Sequence, residues 1–240
     1  MSAQSVKWLA FCASNSITRT VVHFFPSTGV VTAAYAANCT LTLFGEGVEK
    51  KTVTLEGARA GHPDGVRLEQ VFAELVDGAP GFLGLEVELF ASQPRIDISA
   101  SSCIIELFSR VSSVRFVPRR LPDSGLKQRD HLPGLLLEDG LNTTSVILIN
   151  GAGSEYEFSI SRPGRPESPP ENGAGLRDTS AQMRVWRRES LAGRTLLELG
   201  LVQSDSRREA LYLNEALPEQ ACYVLYRDKS QKRLISVCAL

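Results

Sequence analysis

Three histidines, His23, His62 and His131, are the whole imidazole supply of this chain, so any triad or histidine–metal chemistry must use one of them. His23 sits inside the apolar run Thr20-Val21-Val22-His23-Phe24-Phe25, where a half-buried strand residue is the simplest reading. His62 and His131 lie near Pro63 and Pro133 in loop-like segments. No two of them have the short local spacing of zinc ligands. If the chain holds a binding site, its candidates are His62 and His131 with the carboxylates of Glu138 and Asp139, placed between the two halves of the chain. No catalytic residue and no metal ligand set is assigned, and no cofactor is expected.

Other chemistry-bearing groups read as structural. Ile147-Leu148-Ile149-Asn150-Gly151-Ala152-Gly153-Ser154 looks like the start of a dinucleotide site, but that site needs a helix after the glycines. Here Glu155 to Ile160 alternates as a strand, which predicts a hairpin turn instead. Glu86 and Glu88 fall on one face of a strand, ~7 Å apart by strand geometry, and read as a solvated face. Arg187-Arg188 and Arg207-Arg208 suit sheet edges kept open to water. Cys12, Cys39, Cys103, Cys222 and Cys238 are odd in number and include no C-x-x-C pair. Five reduced, buried thiols and a cytoplasmic location are expected.

The elements that must position these groups are mostly strands. Ser5 to Phe11, Thr20 to Phe25, and the pair Cys39–Phe44 and Lys51–Leu55 around Gly45-Glu46-Gly47 carry strand patterns. Leu85 to Leu89 alternates strictly, Ser92-Gln93-Pro94 breaks it, and Arg95 to Ile98 resumes, as a closing hairpin would. Leu68, Val71, Phe72, Leu75 and Val76 form the stripe of a short helix within Val66–Val76, with Asp64 as its candidate N-cap. Ser145 to Ile149, Tyr156 to Ile160, Gln182 to Arg187, Thr195 to Leu199 and the hairpin Cys222–Val237 continue the strand pattern. The resemblance of the two closing hairpins raises an internal duplication.

Proline- and arginine-rich residues 118–134 read as a linker between a β-sandwich domain at 1–117 and a second at 135–240. A second irregular stretch, with four prolines, runs from Arg162 to Asp178. The fold class expected is mostly β: two tandem antiparallel, immunoglobulin-like β-sandwiches with one short helix.

The 240 residues carry 26 Lys and Arg against 27 Asp and Glu, which points to neither nucleic acid nor a membrane surface as partner. No stretch approaches the ~20 apolar residues of a membrane span, and residues 1–13 read as a strand rather than a leader. The rhythm of Thr52-Val53-Thr54-Leu55, Val66-Arg67-Leu68 and Leu85 to Phe90 with Ser92-Gln93-Pro94 resembles the small β-sandwich module of the sensory rhodopsin transducer type. The resemblance covers about half of the chain and implies an oligomeric, non-catalytic interaction module. No functional residue carries across.

The first functional reading is a non-catalytic binding or assembly protein. The alternative is an enzyme or small-ligand binder with its site between the halves. Val21 to Phe25 and Ser145 to Ile149 are apolar on both faces and need cover on both. A second copy in a homodimer is expected to supply part of that cover, and the partner is expected to be this or another protein.

Overall fold

The computed structural model describes residues 5–13, 17–25, 37–56, 64–73, 75, 81–91, 98–121, 132–136, 142–163, 183–200, 209–214, 219–228 and 234–239. The described chain is almost all strand, in four antiparallel sheets, with one short helix. Sheet I holds β4 (Val48–Leu55), β3 (Ala37–Gly45), β6 (Phe82–Ala91), β1 (Ser5–Ala13) and β9 (Arg119–Arg120), in that order. Sheet II holds β5 (Val66–Arg67), β2 (Arg19–Phe25), β7 (Ser102–Phe108) and β8 (Ser113–Phe116). Sheet III runs β10 (Leu132–Leu136), β15 (Glu209–Asn214), β12 (Tyr156–Pro163), β13 (Met183–Leu191). Sheet IV runs β14 (Thr195–Gly200), β11 (Asn142–Asn150), β16 (Gln220–Asp228), β17 (Leu234–Ala239).

Strand parity stacks these sheets. A strand points successive side chains to opposite faces, so odd and even positions report different neighbours. Ile147, Ile149, Ala221, Tyr223 and Leu225 pack into one cluster with Leu9, Phe11 and Phe44 of sheet I. The alternate residues Val146, Leu148, Cys222 and Val224 pack with Phe158, Ile160 and Leu191 of sheet III. In β1, Trp8, Ala10 and Cys12 share their core with Val22, Phe24 and Ile105 of sheet II. Sheet I thus packs against sheets II and IV, and sheet IV against sheets I and III, while β8 of sheet II also meets β17 of sheet IV. Strands β1, β11 and β16 are covered on both sides, which is why they carry long apolar runs instead of alternation.

This answers the question of cover. The apolar faces of Ser145–Ile149 are covered by sheets I and III of the same chain, and Val22 and Phe24 by sheet I. The other face of β2 carries Val21, His23 and the exposed Phe25.

The junction where sheets I, II and IV meet is aromatic. Phe11 stacks on Phe116 (centroids 4.9 Å apart, planes at 15°) and meets Tyr223 edge-on at 5.2 Å. The buried Tyr223 hydroxyl donates to Leu9 O at 2.5 Å and accepts from Arg119 N at 2.8 Å. Burying Leu9, Phe11, Ile147, Ile149, Tyr223 and Leu225 there contributes on the order of 10 kcal/mol. That is comparable to the net stability of a whole domain.

Several expectations change. The helix α1 is only Leu68–Val71, its N-cap is Arg67 with no side-chain cap, and Asp64 does not cap it. Leu68, Phe72 and Leu75 are buried, and Leu75 is again helical, while residues 74 and 76 lie outside the described residues. Both edges of β6 are taken, by β1 and by β3, while residues 92–97 of the expected Leu85–Ile98 hairpin lie outside the described residues. The Cys222–Val237 hairpin does form, as β16 with β17. The Asn150–Ser154 turn joins no hairpin: β11 lies in sheet IV and β12 in sheet III, so the chain changes layers there. Within residues 118–134, Arg119–Arg120 forms β9 against β1, and Leu132 opens β10, while 122–131 lie outside the described residues.

Candidate functional site

The outer face of sheet II gathers the densest set of polar side chains described on one sheet surface. Val22, Phe24, Cys103, Ile105, Leu107, Val114 and Phe116 point inward. Strict alternation then sends the intervening residues outward. Directly paired residues of an antiparallel ladder share a face, so Arg67, Val21, Glu106 and Arg115 form one outward rung across β5, β2, β7 and β8. Arg19 and His23 flank Val21 on the same side of β2.

Glu106 is the hub. Its Oε2 accepts from His23 Nε2 at 2.9 Å and from Arg115 at 3.2 Å, and its Oε1 accepts from Ser113 Oγ at 2.6 Å. Burial pushes its carboxyl up, but hydrogen bonds from Ser113, His23 and Arg115 and the Arg115 charge outweigh burial and hold it below the ordinary carboxylate value. A depressed folded value adds stability that is complete above the unfolded value of about 4.3 and is lost as pH falls through the folded one. Replacing Glu106 by Gln therefore flattens the acid side of the stability profile below about pH 4, which urea melts across that range measure.

Ser113 and His23 both aim at the carboxylate and not at each other. This differs from a nucleophile relay, in which the hydroxyl must bond the imidazole. The other ring nitrogen, Nδ1, faces Gly65. Gly65 has φ +73, and a Cβ there would stand 2.8 Å from Nδ1 and 2.6 Å from Val21 Cγ1. Only glycine fits this left-handed, close-packed position. Beside it, Leu55, Asp64, Gly65, Val66, Arg67, Gln70 and Val71 line an open groove of about 510 Å³.

The charges on this face are sorted by depth. Glu106 and Glu69 are 13% and 17% exposed, whereas their partners Arg115 and Arg19 are 67% and 52% exposed. Arg67 is exposed and has no ion pair among the described residues. A partner approaching this face meets guanidinium groups, with Phe25 also exposed at its edge.

His62, His131, Glu138 and Asp139 lie outside the described residues. Glu86 and Glu88, expected as a solvated face, are half-buried, and Glu86 meets the second half of the chain. Lys7 reaches Glu88 at 3.2 Å, and Arg194 reaches Glu86 at 2.8 Å. Arg188 lies on the outer side of β13, an edge strand, whereas Arg187 pairs with Glu189 on its inner side. Cys12, Cys39, Cys103 and Cys222 are buried and free. Burial pushes Cys12 and Cys222 up to about 12 and raises Cys39 and Cys103 too, so none is a thiolate nucleophile at neutral pH.

Glu106 and Arg115 had a legible sequence signal, the alternation of Cys103-Ile104-Ile105-Glu106-Leu107 and Val114-Arg115-Phe116. Tyr223 had none, since its partners are backbone groups distant in sequence, and the bonds of Asn150 to Leu191 and Ala192 are equally distant.

No group of three or more His, Cys, Asp or Glu among the described residues is placed to hold a metal ion. No described helix is long and apolar enough to cross a membrane. No family model, curated protein or solved structure matches the chain.

Proposed function

We propose that the chain is a non-catalytic binding protein of the reducing cytoplasm, in which a rigid stack of four β-sheets presents the outer face of sheet II to another protein. The observation that carries this reading is the depth sorting of charge on that face: buried carboxylates beneath exposed arginines, with an exposed phenylalanine beside them. Arginine and aromatic residues are the types that anchor protein interfaces. The sheet beneath holds them rigidly, because every inward neighbour belongs to the core. Four buried free thiols support the reducing compartment.

The same charge argues against a second copy as the occupant. A twofold contact through this face would set arginine against arginine. The enzyme alternative draws no support from the described junction between halves, which is filled by Phe11, Phe82, Phe116 and Tyr223.

A photoreactive phenylalanine analogue placed at position 25, with one at Val185 on β13 as control, tests the reading in cells. Crosslinks from position 25 to a different polypeptide are expected, with few from position 185. Crosslinks from 185 alone, none from either position, or crosslinks only to a second copy of this chain would overturn it.

A further inference from the structure

We propose that the occupant of this face is an acidic, extended segment of the partner, held by Arg67, Arg19 and Arg115. This rests on the binding reading above and names its partner chemistry. The face carries Arg19, Arg67, Arg115 and His23, against two carboxylates, Glu106 on β7 and Glu69 on α1. Glu106 is committed to three donors. Arg115 spends one nitrogen on Glu106 at 3.2 Å and Arg19 spends one on Glu69 at 3.4 Å. Among the described residues the remaining donors of both forks have no partner, and a planar fork with spare donors is suited to carboxylates.

Spacing narrows the ligand further. Arg67 and Arg115 sit on one rung, separated by two intervening strands. Three strand spacings are ~14 Å, and an extended peptide covers ~14 Å in about four residues. Acidic residues four apart in an extended chain also point the same way, because the side-chain period is two. Phe25 is exposed on the same face but lies four positions, ~13 Å, along β2 from the rung, so it meets a part of the partner beside this segment. A short acidic extended segment is the chemistry that satisfies the arginines. A nucleic acid would need a longer cationic track than three arginines, on a chain whose net charge is −1.

The test uses the full chain and a fluorescein-labelled ten-residue peptide of alternating Glu and Phe, followed by fluorescence anisotropy at low and moderate salt. Binding that weakens with salt is expected. Arg67→Ala with Arg115→Ala should weaken it about tenfold. Lys50→Ala with Arg188→Ala removes the same charge from β4 and β13 and should leave binding unchanged. Circular dichroism confirms that each variant is folded. The proposal is overturned by three results: no binding, equal binding of the peptide with every Glu changed to Gln, or an oligothymidine of equal charge bound more tightly through the same arginines. If position 25 crosslinks to another protein while the peptide fails to bind, the acidic-segment proposal falls and the binding reading stands. If no crosslink forms, the binding reading falls first.

Discussion

Replacing Tyr223 by alanine lowers the stability of the whole chain by about 4 kcal/mol, and it does so in a single unfolding transition. The ring is fully buried where sheets I, II and IV meet and touches Phe11 at 5.2 Å and Phe116 at 5.4 Å. Truncation leaves an aromatic-sized void between residues from both halves. The surrounding sheets cannot collapse into it, because each is held by its own ladder. The hydroxyl adds a second cost. It is the partner of Leu9 O and Arg119 N, two backbone groups of neighbouring strands in sheet I.

The conservative variant Tyr223→Phe keeps the ring and orphans those groups. It should cost about 2 kcal/mol, the penalty for leaving buried polar groups unpaired. Chemical denaturation in a Trp186→Phe background, followed by the fluorescence of Trp8, buried in the core of the first half, measures both. A Trp8 transition that stays at its original midpoint while the circular dichroism midpoint falls would mean that the halves unfold separately. The account of the junction would then be wrong.

The strand content of the fold was legible because alternation is a local property. Lys51-Thr52-Val53-Thr54-Leu55 lies at the outer edge of sheet I, with one face wet, and its pattern reads directly. The stacking of the sheets was not legible. Ser145 to Ile149 is apolar at nearly every position, which states that both faces are covered but not by what. A second chain and the first half of the same chain satisfy that demand equally at the level of sequence. Only the parity of contacts, Ile147 to sheet I and Leu148 to sheet III, distinguishes them.

The same limit applies to the expected hairpins. Leu85–Ile98 and Asn150–Ser154 both have strand–turn–strand rhythm. Pairing, however, depends on which edges are free. β6 has no free edge, and β11 is already bonded to β14 and β16. The polar face of sheet II sat between these cases. Its inward residues were readable, while the meeting of His23 with Glu106, 83 residues apart, depends on β2 pairing with β7.

Asn150 shows how much of the architecture a single polar side chain can hold. It ends β11, where the chain leaves sheet IV for sheet III, and it is fully buried. Its amide nitrogen donates to Ser154 O at 2.8 Å and to Leu191 O and Ala192 O at 3.1 Å, while its Oδ1 accepts from Ala152 N at 3.1 Å. One side chain thus ties the Gly151–Glu155 crossover to the turn that leads from β13 to β14. The two segments are pressed together, since a Cβ on Gly193 would collide with the carbonyl of Gly153. Arg194 follows in the left-handed region at φ 59, its backbone N–H bonded to Ala152 O at 2.9 Å. That geometry delivers its guanidinium to Glu86 at 2.8 Å and over the Phe44 ring at 5.8 Å, both in sheet I. Replacing Asn150 by alanine should therefore cost about 3 kcal/mol, several unpaired buried groups at once. Asn150→Asp separates hydrogen bonding from shape. It is nearly isosteric but places an acceptor against three carbonyl oxygens. At neutral pH it should be at least as unstable as the alanine variant. Hydrogen exchange at the Ala152 and Arg194 amides should accelerate in both, ahead of amides in the centre of β11. If the aspartate variant matched the native protein in stability, the amide donors would be dispensable, and packing of the glycines alone would hold the crossover.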